Sequence, residues 1–514
     1  MPAIPSERSV SSSAVIKKCE QGKSEQGSPD QAKTSLDSRC TGTPPLTARR
    51  EPWMNSLLHD PALASLLQQH GSPLNFVTAE PMLANVRELN SVAKARSLDF
   101  RVFFARKANK CLTFVNAAPL AGSGVDVASL NELQQTLDAG IAASDIICTA
   151  AIKNEELVDV CVRSEITLTI DNEDELSLIT QSAKKHAKTA VVAIRLSGFV
   201  HDGKKLTSRF GVDIDQCERF AKSIDPNDVH VTGLHFHLDG YCARQRVSAI
   251  AQTLAVVPRL RDLGHSIEFL DIGGGFPISY LPSGEQWETF WNEHRRGLLN
   301  QRSPLTYRNH GLGLIAIDGK IVGNPNSYPY YQSPTRSAWL AQILDSPVAN
   351  STVASQIRDH RLQLRCEPGR SILDGCGMTV ARVEFRKQNS DGDWLIGLSM
   401  NRTQCRTSSD DFLVDPIVIP QTDGSKNERQ NEHHAEPMEG FLVGAYCTES
   451  ELICLRKLRF PAGIRRGDLV AFPNTAGYLM HFLESRSHQF PLAKNMVYDS
   501  CSQTPWMLDK IDAE

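Results

Sequence analysis

The residues whose types and spacing invite chemistry lie at the ends of apolar runs. In RVFFARKANK (101–110) the run stops at Lys107, and one lysine so placed is as a rule a side chain reaching for solvent. Its company changes that reading. HFHLDG (235–240) carries His235, His237 and Asp239 at alternate positions, which an extended strand sets on one face. FLDIGGGFP (269–277) contains Gly273, Gly274 and Gly275. Three glycines in a row weaken a strand but offer consecutive backbone N–H groups to surround a phosphate. CEPGR (366–370) adds Glu367 and Arg370. An amine, an imidazole, a phosphate nest and a carboxylate are what an aldehyde cofactor bearing a phosphate requires, with a lysine of lowered pKa joined to the aldehyde. The H-x-H pair with Asp271 admits a metal reading, but such a site needs further ligands, and the expectation is no metal.

The elements that must hold these residues form a repeating pattern. Apolar runs at 101–109, 124–129, 145–150, 166–171, 190–196, 229–240, 267–275 and 362–370 alternate with amphipathic segments. In LNELQQTLDAG, Leu130, Leu133 and Leu137 share a helical stripe and Gly140 supplies the stop. Eight such units predict a TIM (β/α)8 barrel over 74–370, with an oversized insertion at 276–361 on the active-site side. From 371 to 514 short β-runs separated by Gly, Pro and Asp turns predict a C-terminal antiparallel β-domain. Residues 1–50, poor in aromatic and clustered aliphatic side chains, are expected to be a disordered tail, and the polar loop 421–437 to be mobile.

With these motifs in order, the chain resembles the fold-type III pyridoxal-phosphate-dependent decarboxylases, the ornithine/diaminopimelate decarboxylase family on the alanine racemase/decarboxylase type of barrel. The motifs that carry the resemblance are KAN (107–109), SRFG (208–211), HLDG (237–240), GGGF (273–276), EPGR (367–370), GAYCTESE (444–451) and NTAGYLMHF (474–482). The variants and the long insertion look closest to siderophore-pathway decarboxylases and Y4yA-type proteins. The resemblance implies pyridoxal 5'-phosphate as cofactor, Lys107 as the Schiff-base lysine and His237 stacked on the ring. It implies Glu367 at the pyridine nitrogen, Gly273 to Gly275 with Tyr478 and Arg370 at the phosphate, and Cys447 as the catalytic acid.

Arg209, Asp239, Arg370 and Glu451 are the candidates to meet an amino-acid substrate. The pattern's serine after the histidine is Gly240 here, and Thr448 stands where an acid usually follows the cysteine. A substrate with a distal carboxylate is therefore expected in preference to a simple diamine precursor. The resemblance also implies a homodimer with shared active sites. A racemase on the same fold and a non-catalytic, decarboxylase-like regulator or cofactor-binding protein are the alternatives.

Composition narrows the classes. The 514 residues carry 41% hydrophobic and 22% charged side chains and a net charge of -4, with no bias toward nucleic acid or anionic membrane. The 13 cysteines include no C-x-x-C pair, which argues against a disulfide framework or zinc ribbon and for a reducing, cytoplasmic location. No run reaches the roughly 18 to 20 apolar residues of a membrane helix.

Overall fold

A computed structural model describes residues 36–407, 412–421, 436–499 and 505–513. Its centre is a closed barrel of eight parallel strands: Phe100–Ala105, Gly124–Val127, Ile146–Cys148, Thr167–Ile170, Ala190–Ser197, Val229–Phe236, Phe269–Asp271 and Gln363–Cys366. Each pairs with the next in the chain. Leu364, Arg365 and Cys366 of the last strand pair with Phe100, Arg101 and Val102 of the first, which closes the ring. Gly124–Val127 is buried along its whole length because helices cover the outer face and side chains fill the interior. The βα turns end on residues that cap the helices they start. Ser129, Asn154 and Asn172 accept backbone N–H bonds from Glu132, Leu157 and Glu175, satisfying donors that a first helical turn leaves free.

The second body is a largely antiparallel sheet around the long strand Gly377–Gln388. Trp394–Leu398 and Leu469–Pro473 flank it. Two pairings are parallel: Trp394–Leu398 with Met438–Val443, and Leu74–Val77 with Lys494–Tyr498. Leu74–Val77 thus corrects the expected barrel boundary. Its four residues are all buried, and its other edge pairs with Gly377 to Val380, so it is a β-domain strand and the barrel starts at Phe100. The insertion divides likewise. Its 278–331 part shares a core with the β-domain, Phe290, Trp291 and Tyr330 packing with Val383, Leu398 and Phe472. Helices Arg336–Asp345 and Val353–Asp359 belong to the barrel through Trp339, Ile343 and Ile357.

Residues 36–50 depart from the expected tail, whose remainder lies outside the described residues. Thr41 and Gly42 pair with Arg459 and Leu458, and Cys40 and Leu46 are buried. The backbone N–H groups of Gly42 and Leu46 donate to the Asp415 carboxylate (3.0 and 2.9 Å), which also pairs with buried Arg456 (2.7 Å). A few apolar anchors and one buried carboxylate hold the segment, a pattern that average composition conceals. Of the 421–437 loop, 422–435 lies outside the described residues. Among the described residues, no helix is long and apolar enough to cross a membrane.

If 36–50 is an integral part of the second core, Leu46→Ala should cost about 2–5 kcal/mol. Urea denaturation checks this, and an unchanged midpoint would show that the segment packs only loosely.

Candidate active site

Lys107 lies just beyond the first barrel strand, in the short 3-10 turn Arg106–Ala108. Arg106 is buried on the helix side and donates to Glu132 O (2.5 Å) and Thr136 Oγ1 (3.2 Å), which anchors the turn. The KAN residues are clamped from the β-domain. Asn109 Nδ2 donates to Ala476 O, and the Tyr478 N–H donates to Ala108 O, both at 2.9 Å. The two motifs are therefore one contact.

Lys107 Nζ lies 3.1 Å from Asp126 Oδ2. Asp126 sits in the second strand, fully buried, and accepts a 2.5 Å bond from Thr149 Oγ1. Sequence reasoning passed over it, although one carboxylate inside the apolar run GVDV was a usable signal. The Lys107 side chain is 38% exposed, yet the protein packed round it lowers its pKa, and Asp126, Tyr478 and Glu367 more than offset that, so the ammonium is held above its ordinary range. This corrects the expected lowered pKa: buried carboxylates stand around the amine. Burial pushes the Asp126 carboxyl up to about 6, against the pull of Lys107.

Glu367 follows the last strand and is buried. Its Oε2 is 3.3 Å from His235 Nε2, while Oε1 has no hydrogen-bond partner among the described residues. One donor atom each from His235, Asp271 and Glu367 lie within 4.8 Å of one another. Burial, then Arg195, lowers the His235 pKa well below its usual value, so the imidazole is neutral. Burial and Glu367 raise Asp271 well above the carboxylate range. The cluster could hold a cation by geometry, but Lys107 and Arg195 already act as cations on Glu367. Arg195, another residue missed in the sequence, stacks at 4.2 Å on Phe210, as Arg209 does at 3.8 Å.

The expected His235, His237 and Asp239 face is broken, because the strand stops at Phe236. His235 points into the buried cluster, while His237 and Asp239 lie exposed on the following loop. His237 Nδ1 accepts from the Gly274 N–H (3.3 Å), and although its ring opens to solvent at the rim, the protein packed round it, followed by Arg246, lowers its pKa well below the usual range.

The glycine triplet also has a steric reason beyond the expected phosphate nest. A Cβ on Gly273, at φ +70°, would lie 2.5 Å from Phe236 O, and one on Gly274 would lie 2.7 Å from Glu367 O. The loop threads between two strand ends. The Gly273 N–H donates to Asp271 Oδ1 (2.8 Å), so two of the three amides expected to form a nest have internal acceptors.

Arg370 and Tyr478 do come together. The Arg370 guanidinium lies 5.4 Å from the Tyr478 ring and 4.1 Å from that of Tyr328, and donates to Tyr280 Oη (3.0 Å) and Thr407 Oγ1 (3.2 Å). Tyr478 has φ +69°, a costly conformation for a non-glycine residue that tends to occur at functional sites. A Cβ on Gly369 would lie 2.7 Å from its hydroxyl.

Cys447 and Glu451 are not among the groups that touch Lys107, Asp126 or Glu367 within this chain. Cys447 is exposed on the β-domain, its N–H donating to His488 Nε2 (3.4 Å). Glu451 is buried, its Oε1 accepting the Arg402 N–H (2.8 Å) and its Oε2 without a hydrogen-bond partner among the described residues.

The residues present fit pyridoxal phosphate. Glu367 Oε1 is a buried acceptor in want of a donor, and the Arg370–Tyr478 pair offers a cation and a hydroxyl to an anion.

Comparison with known proteins agrees. Residues 83–309 match the family model "Pyridoxal-dependent decarboxylase, pyridoxal binding domain". The protein y4yA of Sinorhizobium fredii is 29% identical over 439 residues, covering 84% of this chain and 89% of that one. Antizyme inhibitor 2 of Mus musculus is 28% identical over 180 residues, 34% of this chain and 39% of that one. Among solved structures, diaminopimelate decarboxylase from M. jannaschii in complex with L-lysine superposes with a TM-score of 0.64 at 18% identity, covering 87% of this chain and 90% of that one.

Because Asp126 is the first of the charges that raise the Lys107 pKa, Asp126→Asn should lower it, as the strongest of those charges is then gone. The pH dependence of Lys107 acylation, followed by peptide mass spectrometry, measures this. The stability signs are opposite for the two partners. The lysine's contribution is complete below its unfolded pKa of about 10.4 and is lost as pH rises through the higher folded value. The contribution of neutral Asp126 is complete below about pH 4 and lost as pH rises through about 6. An unmoved Lys107 titration in the variant would refute the pairing.

Proposed function

From the premise that this chain belongs to the fold-type III pyridoxal-phosphate-dependent decarboxylases, we propose that it removes the α-carboxylate of an amino acid or amino-acid conjugate. The observation that carries this reading is a buried carboxylate oxygen without a partner, Glu367 Oε1, within electrostatic reach of Lys107. Pyridoxal phosphate, when bound, supplies an aldehyde for amines and a ring that delocalises the electrons left when carbon dioxide departs.

The chain's own residues do the rest. Glu367, fixed by His235 at 3.3 Å, holds a proton at the ring nitrogen, which favours decarboxylation over the weaker electron demand of a racemase. Lys107 and Asp126 form a proton-holding pair at Nζ. Neutral His237 presents a flat, uncharged face, and Arg370 and Tyr478 meet the phosphate. Retention of this set beside the full β-domain favours an enzyme over a silent regulator.

For the substrate, Glu451 leans on the Arg402 turn through its N–H bond and a 3.6 Å ion pair, which disfavours its meeting a distal ammonium. Arg195 and Arg209, packed on one Phe210 ring, favour a distal carboxylate, for which the guanidinium fork is suited. Carbon dioxide release should be faster with diaminopimelate and carboxylated diamino-acid conjugates than with ornithine or lysine. Lys107→Ala should lower turnover by at least about 10²–10⁴-fold and abolish borohydride-fixed cofactor at that position. Labelling at Lys110 or Lys153, which pair with Glu484 (2.9 Å) and Glu175 (3.0 Å), would overturn the assignment. Absence of carbon dioxide from every amino acid would favour the regulator.

A homodimer with shared sites is part of the proposal. Phe482, Leu483, Phe490 and Leu492 are exposed, and Phe490 belongs to the stack of Tyr446 and His488 beside Cys447. This apolar strip is suited to a second copy that receives Cys447. Mixing inactive Lys107→Ala and Cys447→Ala proteins should restore part of the activity. No recovery, in mixtures shown to exchange subunits, would place Cys447 outside the site.

A further inference from the structure

Arg246 sits in the first turn of helix Ala243–Asp262, and its side chain is 1% exposed. It lies against the glycine triplet. Nη1 donates to Ile272 O (2.5 Å) and Gly274 O (2.9 Å), and Nη2 is 2.9 Å from where a Cβ on Gly275 would stand. Among the described residues, Nε and Nη2 have no hydrogen-bond partner and no carboxylate forms an ion pair with it. Asp271, the acid whose charge acts on it, is itself pushed toward its neutral form. Trp339 is packed near the guanidinium, with its ring centroid at 5.2 Å.

A buried guanidinium without a counter-charge is costly, and bonds to two carbonyls offset only part of that. Its surroundings indicate where a counter-charge belongs. Gly275 has φ +75° and faces the Gly240 carbonyl across 3.5 Å from that same Cβ point, and the space where a side chain on Gly240 would stand is open. Two loops thus border open space with neither a hydroxyl nor an amine at Gly240, Gly274 or Gly275, and the charge beneath them is arginine.

We propose that Arg246 is a positioning residue for the cofactor phosphate: it aligns the glycine loop through its carbonyls and supplies the buried positive charge with which a dianionic phosphate on that loop is paired. This rests on the pyridoxal-phosphate reading above. It names a charge from the helix after the sixth strand where the family pattern offers a serine hydroxyl at position 240.

The test compares pyridoxal phosphate with pyridoxal, which lacks the phosphate, and follows the bound phosphate by phosphorus NMR across pH. Arg246→Met should weaken pyridoxal phosphate at least about tenfold, or roughly 1.4 kcal/mol, while leaving pyridoxal nearly unchanged. The second ionisation of the bound phosphate, held below the free value in the parent, should move back toward it. Arg246→Lys, which keeps the charge but loses the fork, should retain most of the preference for the phosphorylated compound. Equal losses for both compounds, or an unmoved phosphate titration, would make Arg246 a structural brace only and overturn the proposal. If the Met variant does not fold, Arg246→Gln, which keeps a donor to the loop carbonyls but removes the charge, decides by the same two readouts. A parent that binds neither compound removes the cofactor reading and this inference together, whereas a parent that binds both, with an unaltered preference in the variants that lack the charge, removes only this one.

Discussion

The pairing of the last barrel strand with the first is the constraint on which the site depends. Leu364, Arg365 and Cys366 lie beside Phe100, Arg101 and Val102, and only this closure brings the residues after Cys366 to those after Ala105. Lys107 and Glu367 come from opposite ends of a long chain segment, yet each acts electrostatically on the other. A parallel barrel places all its strand ends on one rim, so the His235, Asp271 and glycine-loop positions follow from the same closure.

Charge compensation then decides how the rim behaves. Three buried carboxyl groups, Asp126, Asp271 and Glu367, would each tend to neutrality by burial. Lys107 and Arg195 pull the charged form of Glu367 back, and Lys107 does so for Asp126. The lysine's high pKa is the reciprocal of that pull. Separating charges at this depth is expensive, which makes the mouth a balanced set in which the effect of any one residue depends on its neighbours.

The β-domain is part of the site's construction. Asn109 and Ala108 are tied to Ala476 and Tyr478, and the strained Tyr478 backbone persists because that tie, the close approach to Gly369 and the packing against Phe482 over-determine it. The insertion joins the two bodies: its aromatic part fills the β-domain core while its last two helices complete the barrel. Tyr280 and Tyr328 from that insertion surround Arg370, so one segment shapes the surroundings of Arg370 and supports the second sheet.

The amino-acid sequence by itself determined the barrel, because eight apolar runs alternating with amphipathic helices have few other ways to bury their faces, and it singled out Lys107, Glu367 and Arg370 as candidates, because motifs at the ends of those runs are local, whereas Tyr478 was marked only by the family resemblance. Tertiary structure alone decided the partners. Asp126 and Arg195 are lone charged residues in apolar strands and Arg246 is one of four arginines on its helix, and what sets each apart is the neighbours supplied by other elements. The same reason explains the displaced boundaries. Leu74–Val77 has the composition of a barrel strand and joins the other sheet through pairings with Gly377 to Val380 and Lys494 to Val497. Residues 36–50 look unstructured in composition and dock through Cys40, Leu46 and the Asp415 carboxylate. Local sequence fixes periodicity and turn chemistry, whereas burial, and with it pKa and pairing, is a property of what the fold brings within a few ångströms.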